Sequence, residues 1–99
     1  MTETAGERQA RQLSLDELKN GEQARILSLD GLDAHIAKKF LDLGLLRGEV
    51  VTFIQRAPLG DPVWLEVKGY QLAFRREVAR HIRVERLPAA KQGKGGARA

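Results

Sequence analysis

The sequence contains no cysteine, and its only aromatic residues are one tryptophan, one tyrosine and three phenylalanines. Without cysteine, disulfide bonds and thiolate metal sites are excluded, and a reducing compartment is favoured. Few aromatic side chains are available to stack on nucleic-acid bases, which argues against a single-strand binder. No apolar run reaches the roughly 18 residues of a membrane-spanning helix. The first residues also lack the apolar stretch of a secretory signal, so we expect a cytoplasmic protein.

The positive charge is unevenly distributed. The formal net charge is +4, but residues 13–88 carry 12 basic and 11 acidic side chains, an excess of one. Residues 1–12 hold two of each sign, and the last three basic residues are Lys91, Lys94 and Arg98. The basic character therefore belongs to the C-terminal segment, which predicts a weak, salt-sensitive attachment and no specific nucleic-acid surface.

The length of the chain limits it to one domain. Residues 1–12 are polar without periodicity, which predicts a disordered lead. We expect residues 13–88 to fold and residues 89–99 to form a flexible basic tail. A folded part of about 75 residues is near the lower limit for a domain without disulfides or metals.

Local signals in the first half predict one strand and one helix. Ser14 and Glu17 have the spacing of a capping box, which indicates a single helical turn. Residues 22–29 alternate as a strand does. A helix is predicted to follow an Asp33 N-cap and to end at residue 42, because Gly44 suits the left-handed position after a helix.

The second half predicts four strands, over residues 49–55, 63–68, 70–74 and 82–85. In the second of them Val63, Leu65 and Val67 alternate with Trp64, so the three aliphatic side chains face inward and Trp64 faces outward. Residues 75–80 form a short connection of about one helical turn. Five short strands with one inserted helix predict a mainly β fold, a closed or nearly closed small barrel, because closure removes exposed strand edges.

Four motifs in this order resemble the FeoA family. They are Leu15-x-x-Leu18-x-x-Gly21, Phe40-Leu41-Asp42-Leu43-Gly44-Leu45-x-x-Gly48, Arg56-Ala57-Pro58-Leu59-Gly60-Asp61-Pro62, and Lys68-Gly69-Tyr70 with Leu72, Arg75 and Ala79. The resemblance covers about residues 13–86. Arg47 departs from the pattern, in which proline is typical, and the two terminal extensions have no counterpart in the family.

The resemblance implies an SH3-like barrel of about five strands with one inserted short α-helix. It also implies a non-catalytic accessory protein of ferrous iron uptake, which binds the cytosolic part of a FeoB-type permease with a GTP-binding domain, modulates it, and reaches the membrane through it. The same barrel is attached to metal-dependent repressors, so the alternative is an SH3-like regulatory or nucleic-acid-binding barrel. No cofactor is implied, and self-association stays open.

The stretch Arg56–Pro62 is the first candidate for partner binding. Pro58 and Pro62 restrict the backbone, so the loop would lose little entropy on docking. Leu59 would be its apolar anchor, with Arg56 and Asp61 as a polar rim. The alternative is a stiff hairpin connection with no partner.

Outward-facing apolar residues are the second candidate. Trp64 faces outward, and tryptophan is frequent at binding hot spots. The predicted helix is too short to bury every leucine around it, so Leu41, Leu45 and Leu46 are candidates for a docking strip. The alternative is that Trp64 packs under the helix or a terminal segment, and that these leucines pack against Leu15 and Leu18 of the N-terminal turn.

Catalytic and metal-binding patterns are missing. Neither serine lies in a local element with a histidine that could activate it. Asp30, Asp33 and His35 do not have a recognised metal-ligand spacing. We therefore predict no catalytic residue and no metal ligand.

Overall fold

Six short strands and two short helices make up residues 11–88, the part of the chain that this computed structural model describes. In chain order the elements are β1 (Gln12–Ser14), a 3-10 turn (Leu15–Glu17), β2 (Gln23–Ser28), α1 (Ala34–Asp42), β3 (Val50–Arg56), β4 (Val63–Val67), β5 (Tyr70–Phe74), α2 (Arg76–Ala79) and β6 (Arg83–Arg86). The strands form one sheet in the order β1-β6-β2-β3-β4-β5, with every pair antiparallel. The mainly β prediction is confirmed. Among the described residues β1 and β5 end the strand order without pairing with each other, so the predicted removal of exposed strand edges is wrong.

The sixth strand, β1, was not predicted. It pairs with β6 through Gln12 opposite Glu85, and the Arg11 carbonyl accepts a hydrogen bond from the Arg86 N–H at 2.8 Å. Arg11 also forms an ion pair with Glu85 at 2.8 Å. The fold thus begins before Leu13. A three-residue strand is too short to show alternation, and its partner lies at the far end of the sequence.

The helix caps form as the sequence predicts. The Ser14 N–H donates to the Glu17 carboxylate at 3.1 Å, which is the reach-back bond of a capping box. At α1, the Asp33 carboxylate accepts from the N–H groups of His35 and Ile36, at 2.8 and 3.4 Å. Asp33 therefore satisfies N–H groups that the first turn of a helix leaves without a partner.

The core lies on one face of the sheet and under α1. Val63, Leu65 and Val67 on β4 are at most 1% exposed, as the alternation predicted. Phe40 of α1 stacks on Phe74 of β5 with ring centroids 4.7 Å apart. The remaining core residues are Leu13, Leu15, Leu18, Ala24, Ile26, Leu45, Val51, Phe53, Ala79, Ile82 and Val84.

Leu45 corrects a prediction, because it is a core residue and not part of a docking strip. Gly44 adopts a φ of +86°, and its N–H bonds to the Leu41 carbonyl at 3.0 Å. The Leu45 N–H bonds to the Phe40 carbonyl at 2.9 Å. These two bonds form a Schellman motif, in which the residue after the glycine packs an apolar side chain back onto the helix. Leu45 is accordingly 1% exposed.

The buried position of Leu45 can be tested against its neighbour Leu46, which is 44% exposed. Leu45→Ala should lower the free energy of unfolding by about 2–5 kcal/mol, because it leaves a cavity in the core. Leu46→Ala should change it by less than about 0.5 kcal/mol. Urea unfolding followed by circular dichroism measures both, and equal losses would contradict the assignment.

Candidate functional site

The loop between β3 and β4, residues 57–62, holds Leu59 in solvent. Leu59 is 95% exposed. The Ala57 N–H donates to the Pro62 carbonyl at 2.9 Å, and the Gly60 N–H donates to the Ala57 carbonyl at 2.7 Å. Gly60 has a φ of +93°, a conformation that glycine adopts without strain. The loop is therefore shaped by its own backbone hydrogen bonds, and Leu59 contributes nothing to the core.

Arg56, at the base of this loop, forms hydrogen bonds and an ion pair with the N-terminal turn. Its guanidinium donates to the Asp16 carboxylate at 3.1 Å and to the backbone carbonyls of Asp16 and Leu18, at 2.8 and 3.0 Å. It also lies over the ring of Phe53, 4.9 Å from the ring centroid. The sequence predicts Arg56 in the polar rim of the loop, whereas in the structure its guanidinium makes contacts within the domain.

A second arginine joins the same carboxylate. The Asp16 Oδ2 atom accepts from the Arg76 Nε at 3.2 Å, and the side chain of Asp16 is only 14% exposed. The N–H of Arg76, at the start of α2, donates to the Asp61 carboxylate at 2.9 Å. Asp16, Arg56, Asp61 and Arg76 thus connect the 3-10 turn, the loop and α2, and we call them the carboxylate–arginine network. Sequence reasoning had no signal for Asp16 or Arg76, because their partners are distant in the chain.

The exposed apolar candidates fall into two places. Trp64, which is 36% exposed, lies opposite Ala73 of β5 on the solvent side of the sheet, next to the Leu59 loop in sequence. A cleft of about 450 Å³ lies beside them, lined by Asp61, Pro62, Ala73, Phe74 and Arg75. Leu41 borders a different cleft of about 310 Å³, lined also by Leu27, Ser28, Leu29, Asp30 and Arg47. The two clefts share no lining residue.

The acidic residues near the start of α1 do not gather into a metal site. Asp33 is the N-cap of α1, and the N–H of Asp30 donates to the Ser28 hydroxyl at 3.0 Å. Across residues 11–88 no group of three or more His, Asp or Glu side chains could hold a metal ion. Within the same span, neither helix has the length and apolar character needed to cross a bilayer.

The fold and the exposed surface define a small SH3-like β domain. A family model for the FeoA domain matches residues 13–86, so the chain belongs to the FeoA family. A curated relative from Porphyromonas gingivalis, an Fe(2+) transport protein A/Fe(2+) transporter FeoB fusion protein, is 38% identical over 73 residues. That match includes 74% of this chain but 8% of the fusion protein.

Solved structures of FeoA proteins have the same fold. The solution structure from Chlorobium tepidum is 32% identical, with a TM-score of 0.73, and the match covers 88% of this chain and 82% of that one. The zinc complex from Stenotrophomonas maltophilia, described as a prokaryotic SH3 domain protein, is 29% identical with a TM-score of 0.64, covering 74% and 89%. These matches confirm the predicted SH3-like fold. ScaR with bound Cd2+, at 23% identity and a TM-score of 0.65, shares the fold alone over 74% of this chain and 35% of its own.

The carboxylate–arginine network can be tested by an isosteric change. Asp16→Asn should lower the free energy of unfolding by about 1–3 kcal/mol, because two arginines lose a charged acceptor. Glu77→Gln is the matched control: Glu77 pairs with Arg80 at 3.8 Å on the surface, and its loss should cost less than about 0.5 kcal/mol. Denaturant titration measures both variants. If Asp16→Asn and Glu77→Gln lower the free energy of unfolding by the same amount, the carboxylate–arginine network does not stabilise the loop.

Proposed function

We propose that this protein is a non-catalytic accessory protein of ferrous iron uptake, which binds the cytosolic part of a FeoB-type GTPase permease and modulates it. The observation that carries the proposal is the Porphyromonas gingivalis fusion protein, in which a region 38% identical to this chain is part of a protein named for both FeoA and FeoB. A covalent join keeps two modules at high effective concentration, so the fusion is consistent with modules that act in contact. In this proposal the protein is cytoplasmic and reaches the membrane through its partner.

The contact surface in this proposal consists of Leu59, Trp64 and the cleft beside them. Leu59 is almost fully exposed, and its loop is already fixed by hydrogen bonds. A fixed loop loses less conformational entropy on docking than a mobile one. Trp64 adds a large, rigid apolar side chain of the type that dominates binding energy at interfaces. Arg56 and Asp61 support this surface by holding the loop.

Leu41 and Leu46 form a second candidate contact. They are 52% and 44% exposed and flank the buried Leu45 at the end of α1. Their side chains are smaller than that of Trp64, and leucine is less frequent at binding hot spots. We therefore assign the main contact to the Leu59–Trp64 surface.

The proposal assigns no chemical step to the protein. Ser14 lies in the capping turn, and the Ser28 hydroxyl is engaged by the N–H of Asp30. In this proposal the effect on the permease arises from contact alone.

The binding surface can be tested with the cytosolic GTP-binding part of a FeoB-type permease from the same organism. Isothermal titration calorimetry should show binding by the full chain and at least about tenfold weaker binding by a Leu59→Asp, Trp64→Ala double variant. The control is Gln12→Asp in the edge strand β1, which adds the same negative charge as Leu59→Asp. This control should bind like the wild type. Equal binding by the wild type and the double variant would exclude this surface.

A further inference from the structure

The sheet has two edges, and only one of them is protected. β1 is three residues long, and short edge strands resist pairing with other chains. β5, at the other edge, has five residues, Tyr70–Phe74, none of which is charged or proline. Charged residues and proline are the usual devices that keep an edge strand from accepting another strand. β5 is therefore open to strand addition.

The hairpin between β4 and β5 determines which backbone groups face this open edge. Its two turn residues, Lys68 and Gly69, have φ values of +52° and +86°, as in a type I′ turn. Val67 and Tyr70 close the turn as a hydrogen-bonded pair, and hydrogen-bonded pairs recur at every second residue. Gln71 and Ala73 therefore direct their N–H and C=O groups away from β4. Within residues 11–88 these groups bond to no other residue.

The side chains beside this edge favour an apolar residue in the added strand. Ala73 lies directly opposite Trp64 on the solvent face. A residue opposite Ala73 on an added strand would continue this row on the same face, about 10 Å from β4. Ala73 is too small to separate the two larger side chains, so an apolar residue there can contact the indole across it.

The charges at the end of β5 favour a carboxylate. Arg75 follows β5, lines the 450 Å³ cleft, and has no carboxylate within ion-pair distance among the described residues. The other charged residue of the cleft, Asp61, already accepts a hydrogen bond from the Arg76 N–H. An arginine in this setting can bind a carboxylate through two parallel hydrogen bonds.

We propose that the β5 edge binds an extended segment of the protein's partner by strand addition, with an apolar residue opposite Ala73 and an acidic residue reaching Arg75. Every strand pair in the sheet is antiparallel, and the added strand continues this pattern. In an antiparallel segment the acidic residue precedes the apolar one by two positions. The inference rests on the proposed function, because the segment belongs to the cytosolic part of the permease.

Amide hydrogen exchange tests the strand addition directly. The full chain, labelled with nitrogen-15, is mixed with the cytosolic part of the permease, and exchange is followed by NMR. The amides of Gln71 and Ala73 should exchange at least about tenfold more slowly in the complex, because both gain hydrogen bonds. The amides of Leu72 and Phe74 already bond to β4 and report any general change in stability.

Two pairs of variants test the individual contacts. Ala73→Pro removes the outward N–H and is tolerated where that N–H faces solvent, whereas Ala73→Ser keeps it. Ala73→Pro should weaken permease binding at least about tenfold and Ala73→Ser by less than about threefold. Arg75→Glu should weaken binding more than Arg75→Lys does. If Ala73→Pro does not fold, the exchange measurement on the wild type still decides.

The outcomes separate this inference from the proposed function. If the wild-type chain does not bind the permease at all, the proposed function fails and the inference fails with it. If it binds without slowing exchange at Gln71 and Ala73, strand addition is wrong and the proposed function stands. If sedimentation shows that the wild type self-associates and Ala73→Pro does not, the edge binds a second copy, which also overturns the inference.

Discussion

The exposed surface depends on the ion pairs that the Asp16 carboxylate forms with two arginines. The carboxylate holds Arg56 and Arg76, which come from opposite sides of the β4–β5 hairpin in the sequence, and it is largely shielded from water. Two cations on one acceptor balance the cost of placing a charge at a partly buried position. The network fixes the N-terminal turn, the base of the loop and α2 relative to one another, and so it determines where Leu59 stands.

Core and surface side chains alternate along β4. Val63, Leu65 and Val67 fill the core, whereas Trp64 lies between them in sequence and faces outward. Because neighbouring residues of a strand face opposite sides, the same five residues fill the core and place Trp64 on the solvent face. Ala73 leaves room next to Trp64, and a larger residue there would cover the indole.

Periodicity and capping signals predicted most of the fold, since they depend on neighbouring residues. The alternation of β4, the Asp33 cap and the Gly44 stop all appear in the structure. Contacts between residues that are distant in the sequence leave no such local pattern. β1 is too short to alternate, and the role of Arg56 depends on Asp16, 40 positions earlier. Leu45 is buried because it follows the helix-ending Gly44, a position that the periodicity of the helix alone does not distinguish.

The position of β6 has a consequence for how such a domain is attached to a larger protein. β6 lies between β1 and β2, and Arg86 bonds to the backbone of Arg11. The chain therefore enters and leaves the domain through neighbouring strands, which lie at the other end of the strand order from β5. A neighbouring module joined before β1 or after β6 would be connected next to these two strands and need not pair with the outer edge of β5.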